Sequence, residues 1–552
     1  MAIAVPIASE ETPAAAAAAV AGAADAAPGA GTVAAPAGDD HTGRDRVGWN
    51  VLASWAGHFV FIIAGFIMPR QIDRYVGQVG LGVWDFGWTA VNYFFIAQIG
   101  VGVSVNRYVA RYRAARDNEG LGRLISSVML LQFVAACLVL AMAAISSVWL
   151  PRLFRNDLGG EGGVAMWVIF LLGASVAVRM ASQPFSGVVT GCHRWDLHNL
   201  LNSTTYAITV AGMLFELWRG GGLIGISVVY LVATIATEIV RVAVAFRVCP
   251  ELRVSIAQAR WAEARGLLAF GAKLSTPDTM NIIVAQLTNM LVLSQIGIGT
   301  LAVYSRLGAL IRHTESLIAK YSLPLTPTAS SLQGSGSDED VRELVIGSTR
   351  FAAYLVWPIL LGFAIVGDDV LQLWMGPRYD PTWVLTLMAV GAMFPISQQP
   401  MFTILVGLNM HGRFAAARMV GSILGFAASL AALHWLHYDL LGLVAVGVSV
   451  ANAIALFVTI DTCRRLAIPV RSYFIRAYGG PLACSAPFAA GLIVIGIVFD
   501  GRSALTLALS ALFGAVLLIP LYWRVVPREM RDAALQRLTS KIAALRLAMQ
   551  VS

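Results

Sequence analysis

Apolar runs long enough to cross a bilayer follow one another from near residue 49 to near residue 523, and no soluble fold can absorb them. A membrane helix needs ~20 mostly apolar residues. Runs of that kind lie near 49–68, 81–104, 124–149, 165–189, 200–218, 223–246, 267–295, 299–325, 343–366, 382–407, 417–435, 441–461, 481–499 and 504–523. Composition agrees: 58% of residues are hydrophobic, 13% are charged, and the mean hydropathy is +0.72. Soluble domains carry about 25% charged residues. The 552-residue chain therefore reads as an all-α integral membrane protein of about 14 transmembrane helices.

The formal net charge of +8 does not point to nucleic acid, because the basic residues are scattered over short loops instead of forming one basic face. Their distribution sets an orientation. With the amino terminus inside, the tails and even-numbered loops hold about 26 Lys and Arg, and the odd loops about 7. Both termini are thus expected in the cytoplasm. Residues 1–46, rich in Ala, Pro and Gly, read as a disordered cytoplasmic tail. Residues 524–552 place Leu535, Leu538, Ile542, Leu545 and Met549 on one face of a helix, the pattern of a cytoplasmic amphipathic segment. The five cysteines form no CxxC and imply neither a disulfide framework nor a metal site. There is no phosphate-binding GxxxxGK[ST] motif, and no inter-span stretch exceeds about 20 residues, too short for a catalytic domain. The acidic pair Asp368–Asp369 reads as a solvated helix end. An enzyme is not expected.

The chain repeats itself. ASQPFSGVVTGCHR in the fourth run and SQQPMFTILVGLNMHGR in the tenth share QP-x6-G, at an offset of 216 (Gln183 and Gln399). DNEGLGRLISS after the second run and DEDVRELVIGS after the eighth match at an offset of 220. The matches fall at equivalent places in two halves, a parallel repeat as some transporters show. The expected division is an N-lobe over 47–262, a C-lobe over 263–478, two further helices over 479–523, and the tails. Pro184 and Pro400 should bend their helices and act as structural or gating points.

The eighth run is too charged for lipid. In SRLGALIRHTESLIAKYS, Arg306, His313 and Lys320 recur every seven residues and share one side of a helix. An Arg or Lys at the centre of a membrane helix costs about 2.5–3.5 kcal/mol, so this stripe should face a water-filled cavity. Arg312 and Glu315, three apart, are placed to pair with each other. The equivalent N-half run carries one charge, Asp85, so the stripe does not look like a demand of the fold. The seventh run adds Lys273, Pro277, Asp278, Asn281 and Asn289, with Pro277 expected to break its helix. Arg179 interrupts the fourth run. Glu238 and Arg241, in the sixth, form an i,i+3 pair read as structural. A cavity with excess positive charge suits an anion such as a pyrophosphate.

PRQIDRYVGQVGLGVW, QIGVGVSVNRYVARYRA, QPFSGVVTGCHRWDLHN and VGDDVLQLWMGPRYDPT carry a family resemblance. The chain over about 48–475 resembles the polysaccharide flippases of the multidrug/oligosaccharidyl-lipid/polysaccharide (MOP) superfamily, and is similar to Wzx-type proteins. The resemblance implies a flippase of the bacterial inner membrane. It would move polyprenyl-pyrophosphate-linked oligosaccharide from the cytoplasmic to the periplasmic leaflet by alternating access, for O-antigen or exopolysaccharide synthesis. It implies no resident cofactor, often coupling to a cation (H+ or Na+), and as partners the lipid-linked anionic glycan, membrane lipids, and the polymerase and export machinery. No family-wide catalytic residue carries over. Alternative readings are a multidrug antiporter or a lipid II flippase of the same superfamily and, from another class, a membrane glycosyltransferase or polymerase.

Overall fold

A computed structural model describes residues 47–525, apart from 95–104, 262–281 and the short stretches 107, 110–111, 114, 159, 193, 323–324, 335, 377–378, 380–382, 411, 436–438 and 500–502. Lys273, Pro277, Asp278 and Asn281, and both tails, lie outside the described residues.

The described chain is helical throughout. α1 spans Val47–Asn92, α2 Asn118–Leu153, α3 Gly162–Gly191, α4 Trp195–Trp218 and α5 Gly222–Val248. A short apolar helix α6 follows at Ile282–Gln295. Then come α7 (Ile298–Ser322), α8 (Leu325–Gly334), α9 (Asp338–Met375), α10 (Val384–Ser397), α11 (Gln399–Gly407), α12 (Gly412–Trp435), α13 (Leu440–Arg465), α14 (Val470–Val498) and α15 (Ser503–Val525). Nine spans among the described residues are long and apolar enough to cross a membrane, α10 and α11 together forming one of them. The protein is a multi-pass membrane protein. Its outer faces carry Leu138, Ile145, Val494, Ile497 and Ile519, each more than half exposed. A soluble monomer does not tolerate such a surface, and a lipid-facing one requires it.

Several boundaries differ from expectation. The first two runs are joined without a coil: α1 continues through the expected loop and turns at Gly77, where φ is +87°. Only glycine adopts that geometry freely. The tenth run is cut into α10 and α11, with Pro400 in the first turn of α11, where a missing N–H costs nothing. Pro184, its counterpart, lies inside the unbroken α3. The two prolines thus share a sequence motif but not a helix break. α4 and α7 are not among the nine spans, because each carries a polar side.

Neighbouring helices approach closely where the QP-x6-G motifs place glycine. A Cβ at Gly191 would strike the carbonyl of Asn106 and the side chain of Val109. A Cβ at Gly407 would strike the carbonyl of Thr326 and the side chain of Ala329. The struck residues are themselves 220 positions apart, so both offsets reappear as one packing contact made twice. α14 is pinned to the bundle by a buried polar knot. Tyr473 donates to Thr349 Oγ1 and Gln398 Oε1, both at 3.2 Å, and Gln398 Nε2 donates to Tyr478 at 2.7 Å.

Candidate functional site

The polar side of α4 follows from its sequence. His198, Asn202, Thr205 and Thr209 recur at spacings of four and three, which puts them on one face. That face meets polar faces of α3 and α5, and a cavity of about 570 Å³ opens between them. α3 contributes Arg179, Gln183 and Ser186. α5 contributes Tyr230, Thr234, Glu238 and Arg241. Phe61 of α1 and Lys320 of α7 complete the wall.

One network organises the interior. Arg241 Nε donates to Glu238 Oε2 at 2.8 Å, and Ser182 Oγ donates to the same oxygen at 2.6 Å. Arg241 also donates to Asn202 Oδ1 at 2.9 Å, and its guanidinium lies 3.4 Å from His198 Nδ1. Asn202 Nδ2 contacts His198 Nε2 at 3.0 Å, so the two imidazole nitrogens face Arg241 and Asn202. Arg179 donates to the Tyr230 hydroxyl at 3.0 Å. Glu238 balances Arg241. Arg179 and Lys320 form no ion pair among the described residues, so the cavity carries excess positive charge. The Glu238–Arg241 pair, read from sequence as structural, is part of this wall. His198 and Asn202 were missed, though the spacing of polar residues in WDLHNLLNSTTYAITVAG signals them, and Gln183 was read as part of the repeat and not as a cavity residue.

The stripe of α7 faces the N-terminal half but is not one site. Arg306 is buried and bonded to Asp85 of α1 at 2.5 Å; the two are 7% and 9% exposed. His313 stacks on Phe66 of α1, ring centroids 5.4 Å apart. Of the three, Lys320 reaches the polar cavity. The expectation that Arg306 lines the cavity is corrected: it is buried against Asp85, the single carboxylate of the N-half run, whose lone charge had suggested that the stripe was no demand of the fold. Arg312 and Glu315 do not pair with each other. Glu315 accepts from Gln399 Nε2 at 2.8 Å, and Arg312 donates to the Ser305 carbonyl at 3.4 Å. Asn289 donates to Thr89 of α1 at 3.2 Å, a tie between helices.

A second cavity, of about 470 Å³, lies between α6, α7, α10, α11, α12 and α13. Its lining is mostly apolar, with Glu315, Gln399 and Arg418 as its charged or amide groups. Gln183 lines the first cavity and Gln399 the second, at the offset of 216. The same offset relates Arg179 to Pro395, His198 to Phe414 and Thr209 to Gly425. An offset of 217 relates Tyr230 to Gly447 and Glu238 to Ala455. In each pair the first residue lines the first cavity and the second lines the second.

The helices thus enclose one polar and one mostly apolar cavity inside a lipid-facing bundle, and among the described residues no group of His, Cys, Asp and Glu side chains could hold a metal ion. The chain belongs to the polysaccharide biosynthesis protein family, whose sequence profile matches residues 81–384. Its fold is that of the MOP superfamily. It is similar to the lipid II flippase MurJ in an inward closed conformation, with a TM-score of 0.64, 12% identity, and coverage of 86% of this chain and 98% of that one. An inward-facing multidrug resistance transporter of the MATE family gives 0.60 at 13% identity, covering 73% and 94%. A MOP transporter from Pyrococcus furiosus, described by a reversed polarity of its binding pocket, gives 0.57 at 13% identity, covering 78% and 96%. No curated protein sequence matches the chain.

Proposed function

We propose that this protein is a flippase. It moves a polyprenyl-pyrophosphate-linked oligosaccharide from the cytoplasmic to the periplasmic leaflet of a bacterial inner membrane, for O-antigen or exopolysaccharide synthesis. The observation that carries this reading is the polar cavity between α3, α4 and α5, where Arg179, Arg241 and Lys320 face one carboxylate, Glu238. Arg179 and Lys320 line this cavity with no ion-pair partner among the described residues, and an anion held there would gain charge-assisted hydrogen bonds from them. Arginine suits a pyrophosphate because its planar fork can bind two oxygens at once. The surrounding Asn, Ser, Thr and Tyr groups are hydrogen-bonding partners for sugar hydroxyls. Family membership supports a role in polysaccharide synthesis, and the fold is shared with a lipid II flippase and with multidrug transporters. A multidrug antiporter for cations fits less well with a cavity whose surplus charge is positive.

Alternating access uses two lobes, over 47–262 and 263–478, followed by two further helices over 479–523. The paired packing of Gly191 and Gly407 and the paired cavity linings support that division. Five side-chain hydrogen bonds among the described residues tie α1 to the second half: Asp85 to Arg306, Tyr379 to Asp73 at 2.9 Å, Trp374 to the Phe66 carbonyl at 2.6 Å, Gln78 to the Gly299 carbonyl at 3.3 Å and Asn289 to Thr89 at 3.2 Å. With both termini cytoplasmic these contacts lie toward the periplasm. They latch that side, and Lys320 sits toward the cytoplasmic mouth.

The test is binding of a polyprenyl-pyrophosphate glycan to the purified protein, with flipping followed in proteoliposomes. Arg179→Gln and Lys320→Gln should each weaken binding about tenfold, the loss of one charge-assisted contact of ~1.5 kcal/mol. They should also reduce its salt dependence. Unchanged affinity in both variants would sink the reading.

A further inference from the structure

The two cavities occupy matching positions in the repeat, yet their chemistry is opposite. Where the first cavity has Arg179, His198, Glu238 and Tyr230, the second has Pro395, Phe414, Ala455 and Gly447. The one matched change toward charge, Asn202 to Arg418, is muted, because the Arg418 guanidinium lies 5.5 Å over the Phe414 ring. Glu315 is likewise engaged, by Gln399. Gly447 is where the second cavity gains open room: a Cβ there would meet nothing within 4 Å, whereas its counterpart Tyr230 fills that place with a ring.

We propose that the second cavity holds the isoprenoid chain of the cargo, in the units next to the pyrophosphate, while the first holds the pyrophosphate and sugar. This rests on the flippase reading above. The argument is one of tethering. α7 lines both cavities, presenting Glu315 to the second and Lys320 to the first. Those positions are about 7.5 Å apart along the helix axis. A pyrophosphate held by Arg179, Arg241 and Lys320 keeps its first isoprene units inside the protein, away from the bilayer. If those units lay on the first cavity's wall, they would strip water from Asn202, Thr234 and His198 with nothing in exchange, an unfavourable burial. The apolar second cavity is the neighbouring place where they displace no polar contact. Its volume of about 470 Å³ is within the range of small-molecule sites. The repeat supplies one frame, and divergence of the two linings fits it to a two-part ligand.

The experiment uses the full-length protein in nanodiscs and two probes: inorganic pyrophosphate, and farnesyl diphosphate, which is the same anion bearing a short isoprenoid chain. The wild type should prefer farnesyl diphosphate. Gly447→Phe, which restores a ring where Tyr230 has one, should cut that preference about tenfold by removing apolar contact area. It should leave pyrophosphate affinity unchanged. Partition of farnesyl diphosphate into lipid is common to both proteins and drops out of the comparison. Arg179→Gln should weaken both probes alike. Ala451→Phe, one turn further along α13, repeats the test independently should Gly447→Phe not fold. A preference unaltered by either filling variant overturns this inference and leaves the flippase reading standing. Absence of salt-dependent pyrophosphate binding by the wild type overturns the flippase reading itself. Release of co-purified phospholipid by Gly447→Phe, with the farnesyl preference intact, would assign the cavity to bulk lipid and overturn the proposal.

Discussion

Replacing Asp85 with Asn isolates the contribution of the buried tie between α1 and α7. Asp85 Oδ1 accepts from Arg306 at 2.5 Å with both residues buried. Asp85 Oδ2 and Arg306 Nε are buried and have no partner, so the pair is held by one hydrogen bond and its charge. Removing one member of a buried pair costs about 3–5 kcal/mol, because the other charge stays behind uncompensated. The single bond places this case at the lower end, about 3 kcal/mol. Arg306→Gln should cost a similar amount. The double variant Asp85→Asn, Arg306→Gln buries no charge and should recover most of the loss; with singles of about 3 kcal/mol each and a double costing about 1 kcal/mol, the coupling is about 5 kcal/mol. Denaturant unfolding of the four proteins in detergent measures this without reference to transport. Arg306→Glu would set two carboxylates against each other, so lost transport should track lost folded protein. That outcome reverses what the sequence alone suggested, namely that Arg306 could be changed without harm to the fold. Single variants whose effects simply add, within about 0.5 kcal/mol, would refute the reasoning.

Gln398→Leu should destabilise the attachment of α14 by about 1–3 kcal/mol, because it removes the Gln398 hydrogen bonds to the buried hydroxyls of Tyr473 and Tyr478, leaving them Thr349 at 3.2 Å and Ser397 at 3.3 Å; proteolysis or unfolding of the purified protein reads this. Gly191→Val and Gly407→Val should each lower folded yield, since each added side chain meets a carbonyl as well as an apolar neighbour; normal yield of both would contradict the repeated packing contact. Burial would raise the pKa of Glu251, but hydrogen bonds from its own backbone and from Arg113 at 2.7 Å outweigh that and hold it below its ordinary 4.5. The pair's stabilisation is therefore complete above about pH 4.5 and is lost as the pH falls through the lower folded value, so Glu251→Gln should flatten the acid side of a stability profile. A reporter active only in the periplasm, fused at Ser552, should remain silent.

What could be read before any coordinates follows from the range over which each signal acts. Apolar runs are local, so the helical membrane class was legible from one end to the other. The QP-x6-G match was legible too, because a glycine that must admit a neighbouring carbonyl leaves a fixed letter at a fixed spacing. The Asp85–Arg306 pair was not, because its members lie 221 positions apart and no periodicity links them. The seven-residue stripe correctly put Arg306, His313 and Lys320 on one side of α7. It could not say that this side meets a carboxylate, a phenyl ring and a polar cavity in turn. Glu238 and Arg241 were paired correctly but assigned too small a part, since an i,i+3 rule sees two side chains and not the His198–Asn202 face packed on them. The repeat accounts for two cavities at matching positions, whereas their linings differ in chemistry. That difference is written in single residues such as Tyr230 and Gly447, which carry no pattern until the fold aligns them. In a duplicated helical bundle the shared frame is therefore the legible part. The chemistry that separates one half from the other emerges once equivalent positions are compared in space.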